Sequence, residues 1–134
     1  MKPQFDHEKL NVYQTSLKFI VWSQFVFDKV PKNLSAWSQL DRASTSIPIN
    51  LAEGNGKFTA PDRCRFFDIS RGSALESAAV LDVLVAKGIL TEAEIQPGKD
   101  LLIQVVSMLV GLIKSNSPDR LHEEAPPYRT GKED

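Results

Sequence analysis

Apolar positions recur at helical spacing in four segments, and no stretch alternates as a half-buried strand would. The first segment covers about residues 7–29, with Asp6 placed as its N-cap. Leu10, Tyr13, Leu17, Ile20, Val21 and Gln24 share one face, and a second stripe of Val12, Phe19, Trp22 and Val26 lies roughly opposite. A surface helix needs a single apolar face to reach the core. No helix of a small bundle is surrounded on every side, so the second stripe is expected to meet another subunit.

Pro31 ends this segment, and residues 35–53 form the next, with Trp37, Leu40, Ala43, Ile47 and Leu51 on one face. Pro48 lies inside it. A proline there removes a backbone donor and crowds the carbonyl of Ser44, which costs about 3 kcal/mol in a regular helix. The hydroxyls of Ser44, Thr45 and Ser46 are placed to satisfy that carbonyl and ease a bend between Ser44 and Pro48. Gly54 is expected to close the helix in the left-handed conformation.

Residues 60–87 follow, with Thr59 as N-cap, Pro61 in the first turn and Gly88 at the C-terminal cap. Cys64, Phe67, Ala74, Ala78, Leu81 and Val85 make the main stripe, and the middle is rich in Gly, Ala and Ser, which admits a close neighbour. The fourth segment starts at the capping box Thr91-Glu92-Ala93-Glu94 and runs to about residue 116, with Pro97-Gly98 expected to interrupt or kink it. Short connections between four amphipathic helices imply antiparallel neighbours, hence an all-α, up-down-up-down four-helix bundle. The bundle is one domain over residues 1–116, and residues 117–134 are a polar, proline-containing tail expected to be disordered.

Charge changes this picture little. The net charge is −1, with 13 Lys and Arg against 12 Asp and Glu up to residue 116 and 3 against 5 beyond it. No global basic field draws in nucleic acid, so any such contact must be local. There is no apolar leader after Met1 and no run of the ~18 apolar residues that a membrane span requires, so the expected address is the cytoplasm, with no membrane partner.

Candidate chemistry is sparse. Gly54-Asn55-Gly56-Lys57 resembles part of a phosphate-binding loop, but Phe58 stands where Ser or Thr is needed and no strand precedes it. His7 and His122, the two histidines, lie near opposite ends of the chain, and Cys64, the lone cysteine, falls on an apolar stripe. No catalytic set, metal site or cofactor is therefore expected. Arg71 falls at the edge of an apolar stripe and needs a partner, with Glu53, Glu76 and Asp82 as the candidates. It is read either as a structural ion pair or as part of a polar cluster of Arg42, Asn50, Glu53, Arg71 and Glu76 at an interface or ligand surface. Lys57, Arg63 and Arg65 bracket the turn between the second and third helices, interleaved with Phe58 and Phe66, a composition that suits phosphates and bases.

The series Gln39-Leu40-Asp41-Arg42-Ala43, Ser46-Ile47-Pro48-Ile49-Asn50-Leu51-Ala52-Glu53-Gly54, Arg65-Phe66-Phe67 and Arg71-Gly72-Ser73-Ala74-Leu75-Glu76 resembles the 23S ribosomal RNA intervening-sequence proteins. The likeness covers roughly residues 5–115 and is most specific in the Ser-Ile-Pro-x-Asn-x-Ala-Glu-Gly segment. It implies an antiparallel four-helix bundle assembled as a homopentamer, without enzymatic activity. It also brings in a related group, the accessory variability proteins of diversity-generating retroelements, which are basic pentamers that bind reverse transcriptase and nucleic acid. The family's motif residues fall on Arg42, Asn50, Glu53, Gly54, Arg71, Gly72, Ser73 and Glu76. The expected function is a non-enzymatic homo-oligomer that binds RNA or a nucleic-acid-handling protein. The alternative is a protein-binding scaffold without nucleic-acid contact.

Overall fold

The structure, a computed structural model, describes residues 2–116. The tail of residues 117–134 lies outside the described residues. A short 3-10 turn, Asp6–Lys9, precedes four helices: α1 (Asn11–Lys29), α2 (Ser35–Asn55), α3 (Ala60–Ala86) and α4 (Glu92–Asn116). The described residues contain no strand, so the fold is all-α. Each helix packs on the next and α4 packs on α1, with no close approach across either diagonal, so the bundle is a closed square. Contacts at the helix ends fit antiparallel neighbours. Phe27, late in α1, meets Trp37, early in α2. Arg63 at the start of α3 reaches Asn116 at the end of α4, while Asp82, late in α3, holds Lys99, early in α4.

Local signals set most of the helix ends. The Thr59 hydroxyl accepts from the Asp62 N–H at 3.3 Å and opens α3. Before α4, the Thr91 N–H donates to Glu94 Oε1 at 2.9 Å and the Glu94 N–H donates to Thr91 Oγ1 at 3.1 Å, a complete capping box. Gly88, at φ 76°, carries the chain out of α3 in the left-handed region, where glycine has no steric penalty. Helix α1 starts later than the spacing predicts, at Asn11. Asp6 caps nothing there; its carboxylate accepts from Asn55 Nδ2 at 2.9 Å and ties the 3-10 turn to the end of α2.

The stripe expected at a subunit contact is the core face of α1. Val12, Phe19 and Val26 are fully buried within the single chain, so they have no surface to offer a partner. Thr15, Ser16 and Ser23 share that face. The Ser16 and Ser23 hydroxyls donate to the carbonyls of Tyr13 and Ile20 at 2.6 and 2.7 Å, which satisfies them inside their own helix. Trp22 is half-buried between Phe19 and Phe25 and lies against α4, where a Cβ on Gly98 would overlap its ring. Gly98 is thus a seat for Trp22, and α4 runs without interruption through Pro97-Gly98.

Helix α2 is likewise continuous through the buried Pro48. The Ser44 and Thr45 hydroxyls donate to the Asp41 carbonyl at 3.3 and 2.7 Å rather than to the carbonyl of Ser44. Gly54 is a helical residue within α2 and has no positive φ. Its Cβ would stand 2.9 Å from Phe66 Cβ and 2.9 Å from the Phe67 ring, so the lack of a side chain serves the approach of α2 to α3. Three hydroxyls line that approach. Ser70 Oγ donates to the Ile47 carbonyl at 2.8 Å, Ser73 Oγ meets Ser46 Oγ at 2.8 Å, and Ser77 Oγ donates to the Ser73 carbonyl at 2.9 Å.

Two substitutions test this packing. Gly54→Ala is expected to destabilise by about 1–3 kcal/mol, the usual cost of overpacking, in urea unfolding monitored by circular dichroism. Gly98→Ala should cost a similar amount in a wild-type background and much less in Trp22→Ala, because the new methyl then fills vacated space. Additive losses at Gly98 and Trp22 would refute their contact.

A third prediction concerns pH. The Lys29 ammonium, 2.7 Å from Glu94, and then the Thr91 N–H hold the Glu94 carboxyl below its ordinary value of 4.5. A depressed folded-state value gives stability that is present above the ordinary range and lost as pH falls through the folded value. Glu94→Gln keeps the capping box and removes the charge. Its melting temperature should lie slightly below wild type at pH 7, and the gap should close well below pH 4.5, the pair being partly exposed.

Candidate nucleic-acid interface

Helix α2 ends at Asn55 with Gly56 as its C-cap, and the turn Lys57-Phe58-Thr59 leads directly into α3. This places the basic and aromatic residues of the turn at one end of the bundle. Phe58 is wholly exposed, at 101% of the reference area. Phe66, one and a half turns into α3, is half-buried. The Lys57 ammonium lies 5.1 Å and the Arg65 guanidinium 4.5 Å from the centroid of its ring. Both cations therefore rest on one aromatic ring at cation–π distance while their polar heads remain available to an anion. Phe58, next to Lys57 in the chain, presents a second ring to solvent.

Arg63 differs from the other two cations. Its Nη1 donates to the carbonyl of Asn55 at 2.7 Å and to that of Lys57 at 3.3 Å, and its Nε donates to Asn116 Oδ1 at 2.9 Å. The guanidinium also lies 5.5 Å from the Phe67 ring centroid. It fastens the end of α2, the turn and the end of α4 together, so its donors face the protein. Of the three basic residues singled out in the sequence, Lys57 and Arg65 share a ring, and Arg63 holds the scaffold beneath them.

The five polar residues of the predicted cluster differ in their surroundings. Asn50 Nδ2 donates to the carbonyl and hydroxyl of Ser46 at 2.9 and 2.8 Å, joining the α2–α3 seam through Ser73. Arg42, Glu53 and Glu76 are exposed. Arg71 is half-buried, one turn beyond Phe67 on α3. Asp82, one of its candidate partners, is paired with Lys99 at 2.8 Å. The seam hydroxyls of Ser46, Ser70 and Ser73 are the residues the sequence reading missed as a group, and their spacing along α2 and α3 was the available signal.

The arrangement offers little for catalysis. Cys64 is buried, with its thiol 3.8 Å from the Ile113 carbonyl. His7 packs on Phe5 and Tyr13. Among the described residues, no three His, Cys, Asp or Glu side chains gather where they could hold a metal ion. No helix among them is long and apolar enough to cross a membrane.

Comparison with known proteins fits this architecture. No curated protein matches the chain. A crystal structure of a protein of unknown function from the S23 ribosomal protein family of Bacteroides thetaiotaomicron VPI-5482 superposes with a TM-score of 0.71 at 22% identity, covering 77% of this chain and 98% of that one. At that identity the likeness speaks for the fold. The family model of the 23S rRNA-intervening sequence proteins matches residues 8–111, and the protein belongs to that family.

Proposed function

We propose that the protein is a non-enzymatic, cytoplasmic homo-oligomer, a pentamer as the resemblance implies, that binds RNA through the α2–α3 end of each bundle. The observation that carries this reading is the pair of cations, Lys57 and Arg65, on the Phe66 ring, with the wholly exposed Phe58 following Lys57 in the same turn. An aromatic ring held entirely in water contributes nothing to the core. Beside two cations it has the chemistry of a base-stacking platform with phosphate contacts. With a net charge of −1 a single patch binds weakly, and repetition in an oligomer raises the avidity.

A second reading is a scaffold that binds protein alone, including a nucleic-acid-handling protein. The near-neutral charge and the engagement of Arg63 within the fold favour it. Recovery of the same protein partner from a pull-down with and without nuclease, together with no affinity for RNA, would select it.

The test of the RNA reading is a fluorescence titration with a structured RNA at two salt concentrations. Phe58→Ala should weaken binding by about 5- to 150-fold, the range of one lost stacking contact of 1–3 kcal/mol. Lys57→Ala and Arg65→Ala should each reduce the salt slope by about one. Absence of binding, or affinity insensitive to salt and to Phe58, would overturn it.

A further inference from the structure

The α2–α3 end of the bundle is also where α4 finishes. Arg63 donates through Nε to the Asn116 side chain at 2.9 Å and through Nη1 to the Lys57 carbonyl at 3.3 Å, so a single guanidinium joins the last residue of α4 to the turn that carries Lys57 and Phe58. Residues 117–134 therefore continue from a point beside the basic and aromatic patch. Their charge is unevenly placed. Residues 117–128 hold Asp119, Glu123 and Glu124 against Arg120, a net −2, whereas Arg129 and Lys132 balance Glu133 and Asp134 over residues 129–134. Glu123 and Glu124 are adjacent, with Leu121 before them and Tyr128 after them. The patch has the complementary composition: two cations at 5.1 and 4.5 Å from one ring centroid, and Phe58 wholly exposed. An ammonium carries three donors and a guanidinium five, more than one ring face can take, so both cations keep bonds for an anion.

We infer that residues 121–128 fold back onto this patch of their own chain, with Glu123 and Glu124 against Lys57 and Arg65, and Leu121 and Tyr128 against Phe58. The length suffices. The chain from Asn116 to Glu123 spans up to about 23 Å when extended, and one guanidinium separates Asn116 from the turn. Exposed ion pairs are individually weak. A short covalent link raises the effective concentration of the acidic stretch at the patch to the order of millimolar, which lets weak pairs compete with an incoming ligand. The tail is then an internal competitor at the proposed RNA site. A phosphate backbone must displace two carboxylates before it meets Lys57 and Arg65. That displacement rests on the RNA reading above, whereas the contact itself does not.

Paired substitutions in the full chain test it. Glu123→Gln with Glu124→Gln should shift the amide NMR resonances of Lys57, Phe58 and Arg65 at low salt. High salt should bring the wild type to the same positions, because exposed charge contacts are screened. The shift at Phe58 should vanish when Lys57 and Arg65 are both replaced by alanine. Glu133→Gln with Asp134→Asn removes the same charge from outside the stretch and should leave those resonances in place. With a fluorescein-labelled hairpin RNA at low salt, the first pair should tighten binding by about 2- to 30-fold, the range of two exposed ion pairs. Unmoved resonances in the first pair, or an equal shift or gain in affinity from the control pair, would overturn the contact. Shifted resonances with equal RNA affinity in wild type and the first pair would overturn the tail's role as a competitor. Shifted resonances with no RNA bound by any variant would support the contact and remove the RNA reading instead.

Discussion

The close approach of α2 to α3 is the constraint on which the rest of the structure depends. Gly54 leaves room for Phe66 and Phe67, and the serines of α3 set hydroxyls against α2 where bulkier apolar side chains would hold it off. A buried hydroxyl without a partner costs about 1–3 kcal/mol, so the seam holds only because Ser70, Ser73 and Ser77 all find acceptors. The register so fixed carries Ser46 and Asn50 into one hydrogen-bonded group. It also decides where the turn after α2 emerges and therefore how Lys57 and Arg65 come to share Phe66.

The four helices, the caps of α3 and α4 and the core positions of α2 were legible because each rests on local chemistry: an apolar period, a capping hydroxyl, a left-handed glycine. The core face of α1 was not. It is built from Val12, Phe19 and Val26 together with Thr15, Ser16 and Ser23, so it is less apolar in sequence than the outer face with Leu17, Ile20 and Val21. Serines that bond within their own helix look polar in a sequence and behave as small core residues in a fold. Hydrophobic content therefore pointed to the wrong face as the surplus one.

Two glycines were misread for a related reason. Gly54 and Gly98 resemble helix stops, yet each is small because an aromatic ring from a distant segment lies against it. The site shows the same division. Arg65 is adjacent in sequence to the ring it contacts, and Lys57 lies nine residues before it, across one turn of the chain. Arg63 looks identical to them in composition, and its role depends on Asn116, 53 residues away. Side chains whose partners are remote in sequence are those whose roles only the fold can assign.

The position of Arg63 has an electrostatic consequence for the whole end of the bundle. The last carbonyls of a helix carry about half a negative charge between them. Helices α2 and α4 both end here, at opposite corners of the square, and Arg63 reaches both. Arg63 donates to the Asn55 carbonyl and to the Asn116 side chain, and so places its full positive charge between the two termini. It offsets the partial charge of these terminal carbonyls, so Arg63 acts on the end of the bundle that carries Lys57 and Arg65 through its charge as well as through its bonds.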